Sequence, residues 1–165
     1  EEMLQPTRAH GWMHQMTCPR ELRFRDGRLW QTPARELAAL REDEQHWQGR
    51  ASDAPELDAT RLEFELGASQ VNVDFAGALR LTVNEQGVCL ERASMKTGET
   101  LTRYWLGDVR HLRVLCDRSS VEIFINHGEG VMSSRYFPDH PARVRFEGAS
   151  DITLRYWSLR ACMIE

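Results

Sequence analysis

The sequence predicts an all-β fold: a two-sheet antiparallel β-sandwich preceded by a β-hairpin. Three observations carry that prediction. Apolar and polar residues alternate with a period of two through most of the chain, as where Leu62, Phe64 and Leu66 are set between Arg61, Glu63 and Glu65. Polar turn segments break the alternation about every eight to twelve residues, the spacing of sandwiches and barrels. Only one stretch, Ala34 to Glu44, reads as helical, and it is short.

The elements follow in order. Arg20 to Arg25 and Arg28 to Gln31 flank Asp26-Gly27, a strong signal for a two-residue hairpin. After Pro33 the pattern weakens. Residues 33–50 read as a linker with a short helix, charged and polar from Arg41 to Gln48 except for Trp47, which would anchor it. A polar loop from Arg50 to Pro55 follows. The sandwich is expected over residues 51–165, with its first strand near Leu57. Strands are predicted through Leu62–Leu66, Val71–Phe75, Leu79–Val83 and Val88–Leu90, the last after a turn at Glu85-Gln86-Gly87. Further ones fall at Leu101–Leu106, Leu112–Cys116, Val121–Asn126, Val131–Phe137, Arg143–Phe146 and Ile152–Leu159.

Composition narrows the function classes. A hydrophobic fraction of 41% against 28% charged residues is that of an ordinary globular chain, and 165 residues suffice for a core without metal or disulfide support. No apolar run nears the ~18 residues that cross a bilayer, so no membrane partner is expected. Glu1 to Pro6 has neither the basic end nor the apolar stretch of a signal peptide. The net charge of −4 argues against nucleic acid, whose binders carry a positive patch. Lys96 is the only lysine; Arg23, Arg25, Arg61 and Arg80 are expected on solvent faces opposite acids such as Glu63 and Glu65. Cys18, Cys89, Cys116 and Cys162 form no C-x-x-C pair, so they read as small thiols of a reducing cytoplasm and not as zinc ligands.

Three segments resemble one known family. From Asp117 to Glu129 a strand runs into a turn at Gly128 and returns as Val131 to Phe137, ending at Pro138. This is similar to the most recognisable part of the C-terminal β-sandwich of glycoside hydrolase family 32. Gly11 to Leu22 resembles the stretch that closes the catalytic propeller in bacterial members, and Trp30 to Leu37 the junction between the two domains. His127 departs from the small acidic or polar residue expected there, a change that a turn position tolerates. The resemblance implies that residues 1–32 are the last strands of a five-bladed β-propeller blade and that residues 51–165 are the sandwich. It further implies a cytoplasmic bacterial enzyme, free of metal or cofactor, that cleaves the fructosyl bond of sucrose, its 6-phosphate or a related fructoside with retention. Two carboxyl groups about 5 Å apart suffice for that reaction. In the family they come with Asn-Asp-Pro-Asn, Arg-Asp-Pro and Glu-Cys segments; none of these occurs here, and Phe137-Pro138-Asp139-His140 does not match. No catalytic residue is carried over. The chain is expected to be a structural module whose partner is its own propeller.

The remaining candidates are weighed on their own chemistry. Asp117, Glu122 and Glu129 cluster on one hairpin and read as solubilising acids paired with Arg118 and Arg135. His10, His14, His46, His111, His127 and His140 show no ligand spacing, and Ser119-Ser120 reads as a strand end, not a nucleophile. Trp12, Trp30 and Trp47 are assigned to interdomain packing; Trp105 and Trp157 are the candidates for stacking on a sugar ring. An unpartnered hairpin should expose an apolar face around Trp12, Leu22, Phe24 and Trp30. The rivals to the structural reading are a stand-alone carbohydrate-binding sandwich and an assembly module that forms homo-oligomers through a sheet edge or the hairpin.

Overall fold

The computed structural model describes residues 4–138 and 142–162, so Asp139 and His140 lie outside the described residues. The hairpin expected near the start is β1 (Arg20–Arg25) paired with β2 (Arg28–Pro33). Asp26 and Gly27 both take positive φ, 51° and 73°, the pairing of dihedrals that a two-residue turn between twisted strands requires.

Two six-stranded antiparallel sheets follow, packed face to face. The first runs β12 (Gly130–Arg135), β11 (Ser120–Ile125), β10 (Leu112–Asp117), β5 (Arg61–Gly67), β14 (Asp151–Leu159) and β3 (Arg41–Arg50). The second runs β4 (Leu57–Asp58), β13 (Arg143–Glu147), β6 (Val71–Phe75), β7 (Leu79–Asn84), β8 (Gly87–Ala93) and β9 (Thr100–Leu106). Period-two alternation puts Leu62, Phe64 and Leu66 of the first sheet opposite Val73, Phe75, Leu81 and Phe146 of the second, all buried. The Phe64 ring meets Phe146 edge-on at 5.6 Å, and Phe75 meets Tyr136 at 6.1 Å. Each such pair contributes about 0.5–1.5 kcal/mol beyond its burial.

The expected linker is the main departure. Only Arg35–Leu40 is helical, as a 3-10 segment, and Arg41–Arg50 is a strand at the edge of the first sheet, paired along β14. An edge strand needs one apolar contact, and Trp47 supplies it by packing on the core. Arg41 turns onto the opposite face of the sheet and the remaining side chains are mostly exposed, so the alternation is hidden in a charged sequence. Trp47 therefore anchors a strand of the sandwich itself. The β3–β14 register shifts by a residue where Asp43 and Glu44 together face Trp157, and Asp43 takes φ 53° at that bulge.

Candidate functional site

On the first sheet the residues that alternate away from the core make a second layer. Phe124 and Trp157 are buried there but stand apart from the inter-sheet core, and so do the carboxylates of Glu63 and Glu122. A sheet face in water would not bury acids. These are covered by chain segments that lie outside the central strands.

Glu122 is held by the segment that leads into the hairpin. The Cys18 backbone N–H donates to its Oε1 at 2.6 Å, and Arg20 donates from Nη2 to Oε2 at 2.6 Å. Arg20 also donates to Ser133 Oγ at 2.9 Å and to Gln31 Oε1 at 3.0 Å, so one guanidinium ties β1, β2, β11 and β12 together. Its Cζ sits 5.3 Å from the centre of the Phe124 ring. Burial, then the nearby Glu122 charge, pushes the Cys18 thiol up to about 12, so it stays protonated and unreactive. The second fastening is Gly128: the Gln31 N–H donates to its carbonyl at 2.9 Å, and a Cβ there would lie 2.3 Å from the Gln31 oxygen. Only glycine, at φ 102°, allows that approach.

Glu63 is the centre of the other cluster. It is fully buried; Arg41 holds it through both Nε (2.9 Å) and Nη2, and Arg113 donates from Nε at 2.6 Å. The Arg41 guanidinium also lies 3.8 Å above the Trp157 ring, and Arg155 lies 4.7 Å from it. Trp157 Nε1 donates to Glu44 Oε2 at 2.9 Å. Arg155 first, then Trp157 and His46, hold the Glu44 carboxyl down at about 2. The expectation that Glu63 faces solvent is thus corrected: the register sets it between Leu115 and Trp157, with Arg41 arriving from the edge.

The pairing expected of Arg118 and Arg135 is corrected as well. Arg135 bonds Ser119, through its carbonyl and its hydroxyl, and lies over Trp12 and Phe137. The acids are met from the hairpin instead: Glu122 by Arg20 and Glu129 by Arg28 at 3.2 Å, with Asn126 Nδ2 also donating to Glu129. The two arginines stand about a hundred residues away in sequence, and no local spacing announces them. Of the tryptophans assigned to packing, Trp12 is exposed and Trp30 and Trp47 are half-buried. Of the sugar-platform candidates, Trp157 is 2% exposed beneath two guanidinia. Trp105 nests on Gly107 and Gly130, where an added Cβ would come within 2.8 and 2.3 Å of its ring. A groove of about 550 Å³ beside the Glu122 cluster is lined by Met16, Leu37, Leu40, Leu115, Leu159 and Cys162, and neither candidate tryptophan borders it. Cys18, Cys89, Cys116 and Cys162 are free thiols, and no group of three metal-ligating side chains occurs among the described residues.

His127 and His111 stack at 4.2 Å with 20° between their planes, beside Glu65 and Arg110. Burial, then the His111 neighbour, lowers the His127 pKa below its ordinary 6.5. The folded chain then binds fewer protons than the unfolded one below that pH. Stability is therefore full above about pH 6.5 and declines as the pH falls through it. His127→Asn keeps the left-handed backbone at φ 60° and is expected to flatten that decline in urea titrations run over about pH 5.5–7.5. An unchanged slope in the variant would assign the decline to other groups.

Residues 50–158 match the family described as glycosyl hydrolases family 32 C terminal. Over its whole length the chain is 52% identical to the sucrose-6-phosphate hydrolase of Klebsiella pneumoniae and 49% identical to that of Salmonella typhimurium, covering 35% of each. It is 35% identical to the raffinose invertase of Escherichia coli, over 84% of this chain and 32% of that protein. The chain thus spans about a third of the length of the curated relatives it matches. The fold recurs in the sucrose-6-phosphate hydrolase of Lactobacillus gasseri (TM-score 0.68, 24% identity, 86% of this chain and 33% of that one). It recurs also in a Bombyx mori β-fructofuranosidase (TM-score 0.69, 24% identity, 87% and 32%).

Proposed function

The chain belongs to glycosyl hydrolase family 32, and from that membership we propose that it is the structural C-terminal β-sandwich module of a bacterial, cytoplasmic sucrose-6-phosphate hydrolase. In this reading the parent enzyme hydrolyses the fructosyl bond of sucrose or sucrose 6-phosphate with retention. Both reacting carboxyls lie outside these 165 residues, and the chemistry takes no cofactor. The observation that carries the reading is the second layer on the first sheet. Glu122 is buried against Arg20, a side chain brought by the segment before the sandwich, and Glu63 against Arg41 of the edge strand β3, so this face is built to be covered. Residues 1–32 then belong to the catalytic propeller. They carry an apolar face in which Phe24, 79% exposed, pairs with Leu29 and lies beside Leu22, 61% exposed. A neighbouring propeller strand of the same enzyme would cover it. Strand β3 counts with the sandwich. Four free thiols agree with a reducing compartment.

The test is a graft. The purified chain should release no hexose from sucrose or sucrose 6-phosphate above a mock preparation. Joined to the remaining N-terminal part of the Klebsiella pneumoniae enzyme in place of its own C-terminal third, it should give a soluble hydrolase. Turnover by the isolated chain, or a soluble but inactive graft, would overturn the proposal.

A further inference from the structure

Each sheet has two edges, and three of the four are protected among the described residues. Strand β3 carries Glu42, Asp43 and Glu44 and a bulge. Strand β4 is two residues long. Strand β12 is capped: Arg103 donates to the Ser133 carbonyl at 2.8 Å, and β2 bonds the turn that leads into it. Strand β9 has none of these devices. Its seven residues, Thr100 to Leu106, include no proline, no acid and no register shift, and it is paired on one side alone. Its single charge, Arg103, is turned across the sandwich to Ser133. Its outward residues include Tyr104 and Leu106, 68% and 75% exposed.

The hydrogen-bonding parity of β9 follows from two flanking bonds. Gly107 N donates to the Gln86 carbonyl and Ser94 N to the Glu99 carbonyl, both in register with the β8–β9 ladder. In an antiparallel pair the bonded positions alternate, so Leu101, Arg103 and Trp105 are the residues bonded to β8. The N–H and C=O groups of Thr102, Tyr104 and Leu106 therefore point to the open edge.

We propose that this edge pairs with the β9 edge of a second copy of the chain, antiparallel about a two-fold axis at Tyr104, joining the two second sheets into one. That register sets Thr102 opposite the second copy's Leu106 and Arg103 opposite its Trp105, with about six backbone hydrogen bonds formed between the open groups. A two-fold at Arg103 would instead oppose two arginines, which strand pairing disfavours. Charge thus disfavours that alternative, and an edge that satisfies itself favours a second copy over a foreign strand. One strand pair buries well under the ~800 Å² per partner of a standard interface, so the dimer is weak and concentration-dependent. The inference is independent of the enzymatic reading, since it concerns an edge of the other sheet.

Sedimentation equilibrium of the chain should show the mass rising from 19.1 kDa toward twice that value as concentration increases from micromolar to millimolar. In amide exchange by NMR, protection should grow with concentration at Thr102, Tyr104 and Leu106 and stay level at Leu101, Arg103 and Trp105. Tyr104→Lys opposes two ammonium groups at the axis and should leave a monomer with an unchanged circular dichroism spectrum; Phe24→Ser on the exposed hairpin should leave association intact. A constant monomer mass, or association lost in Phe24→Ser and kept in Tyr104→Lys, would overturn the proposal.

Discussion

Glu63→Ala is expected to lower stability by about 3–5 kcal/mol, the range seen when one partner of a buried ion pair is removed and the other is left uncompensated. The carboxylate is fully buried and accepts from Arg41 and Arg113, whose side chains are each 19% exposed. Water therefore reaches part of each guanidinium, which places the loss nearer the lower end of that range. Arg41 has a second tie, its stacking on Trp157, which keeps it from swinging out to solvent. Glu63→Gln retains one acceptor oxygen and should cost less, about 1.5–3 kcal/mol, as for hydrogen bonds to charged groups. The measurement is the urea midpoint at constant m-value. A Glu63→Ala variant within about 0.5 kcal/mol of the parent would mean that both arginines relax into water and that the layer contributes nothing.

The same residue marks the boundary of what the sequence discloses. Strands β5 to β8 and β10 to β14 are legible because one face of each packs on the core, and a period of two records that directly. The turn at Asp26-Gly27 is legible because the local dihedrals demand those residue types. Glu63 sits in a flawless alternation and so reads as a solvent-face acid. Its burial depends on Arg41, Arg113 and Trp157, which reach it through the order of strands β3, β14, β5 and β10. Likewise nothing near Glu122 in sequence points to Arg20. Strand β3 fails for the converse reason: an edge strand with one inward anchor, Trp47, leaves no pattern to read. Long-range charge pairing is a property of topology, and alternation carries no information about it.

Trp157→Ala is expected to cost a further large amount, about 3–5 kcal/mol, because a buried tryptophan leaves a cavity that its neighbours fill only in part. Those neighbours are charged. Arg41 and Arg155 lose the ring beneath them, and Glu44 loses the Nε1 donor. Trp157→Phe keeps an aromatic face for Arg41 but loses the donor and part of the ring volume, so it should cost less than Trp157→Ala, about 1–3 kcal/mol. Because Arg41 touches both Glu63 and Trp157, the double variant Glu63→Ala/Trp157→Ala should be destabilised by less than the sum of the two, with a coupling of about 0.5–3 kcal/mol. The experiment also separates the structural reading from the carbohydrate-binding one. A sugar platform would lose fructan binding on Trp157→Ala while the unfolding midpoint stayed in place. A ring held between two guanidinia and a carboxylate loses the midpoint itself, since removing it takes away the packing of Arg41 and Arg155 and the donor to Glu44.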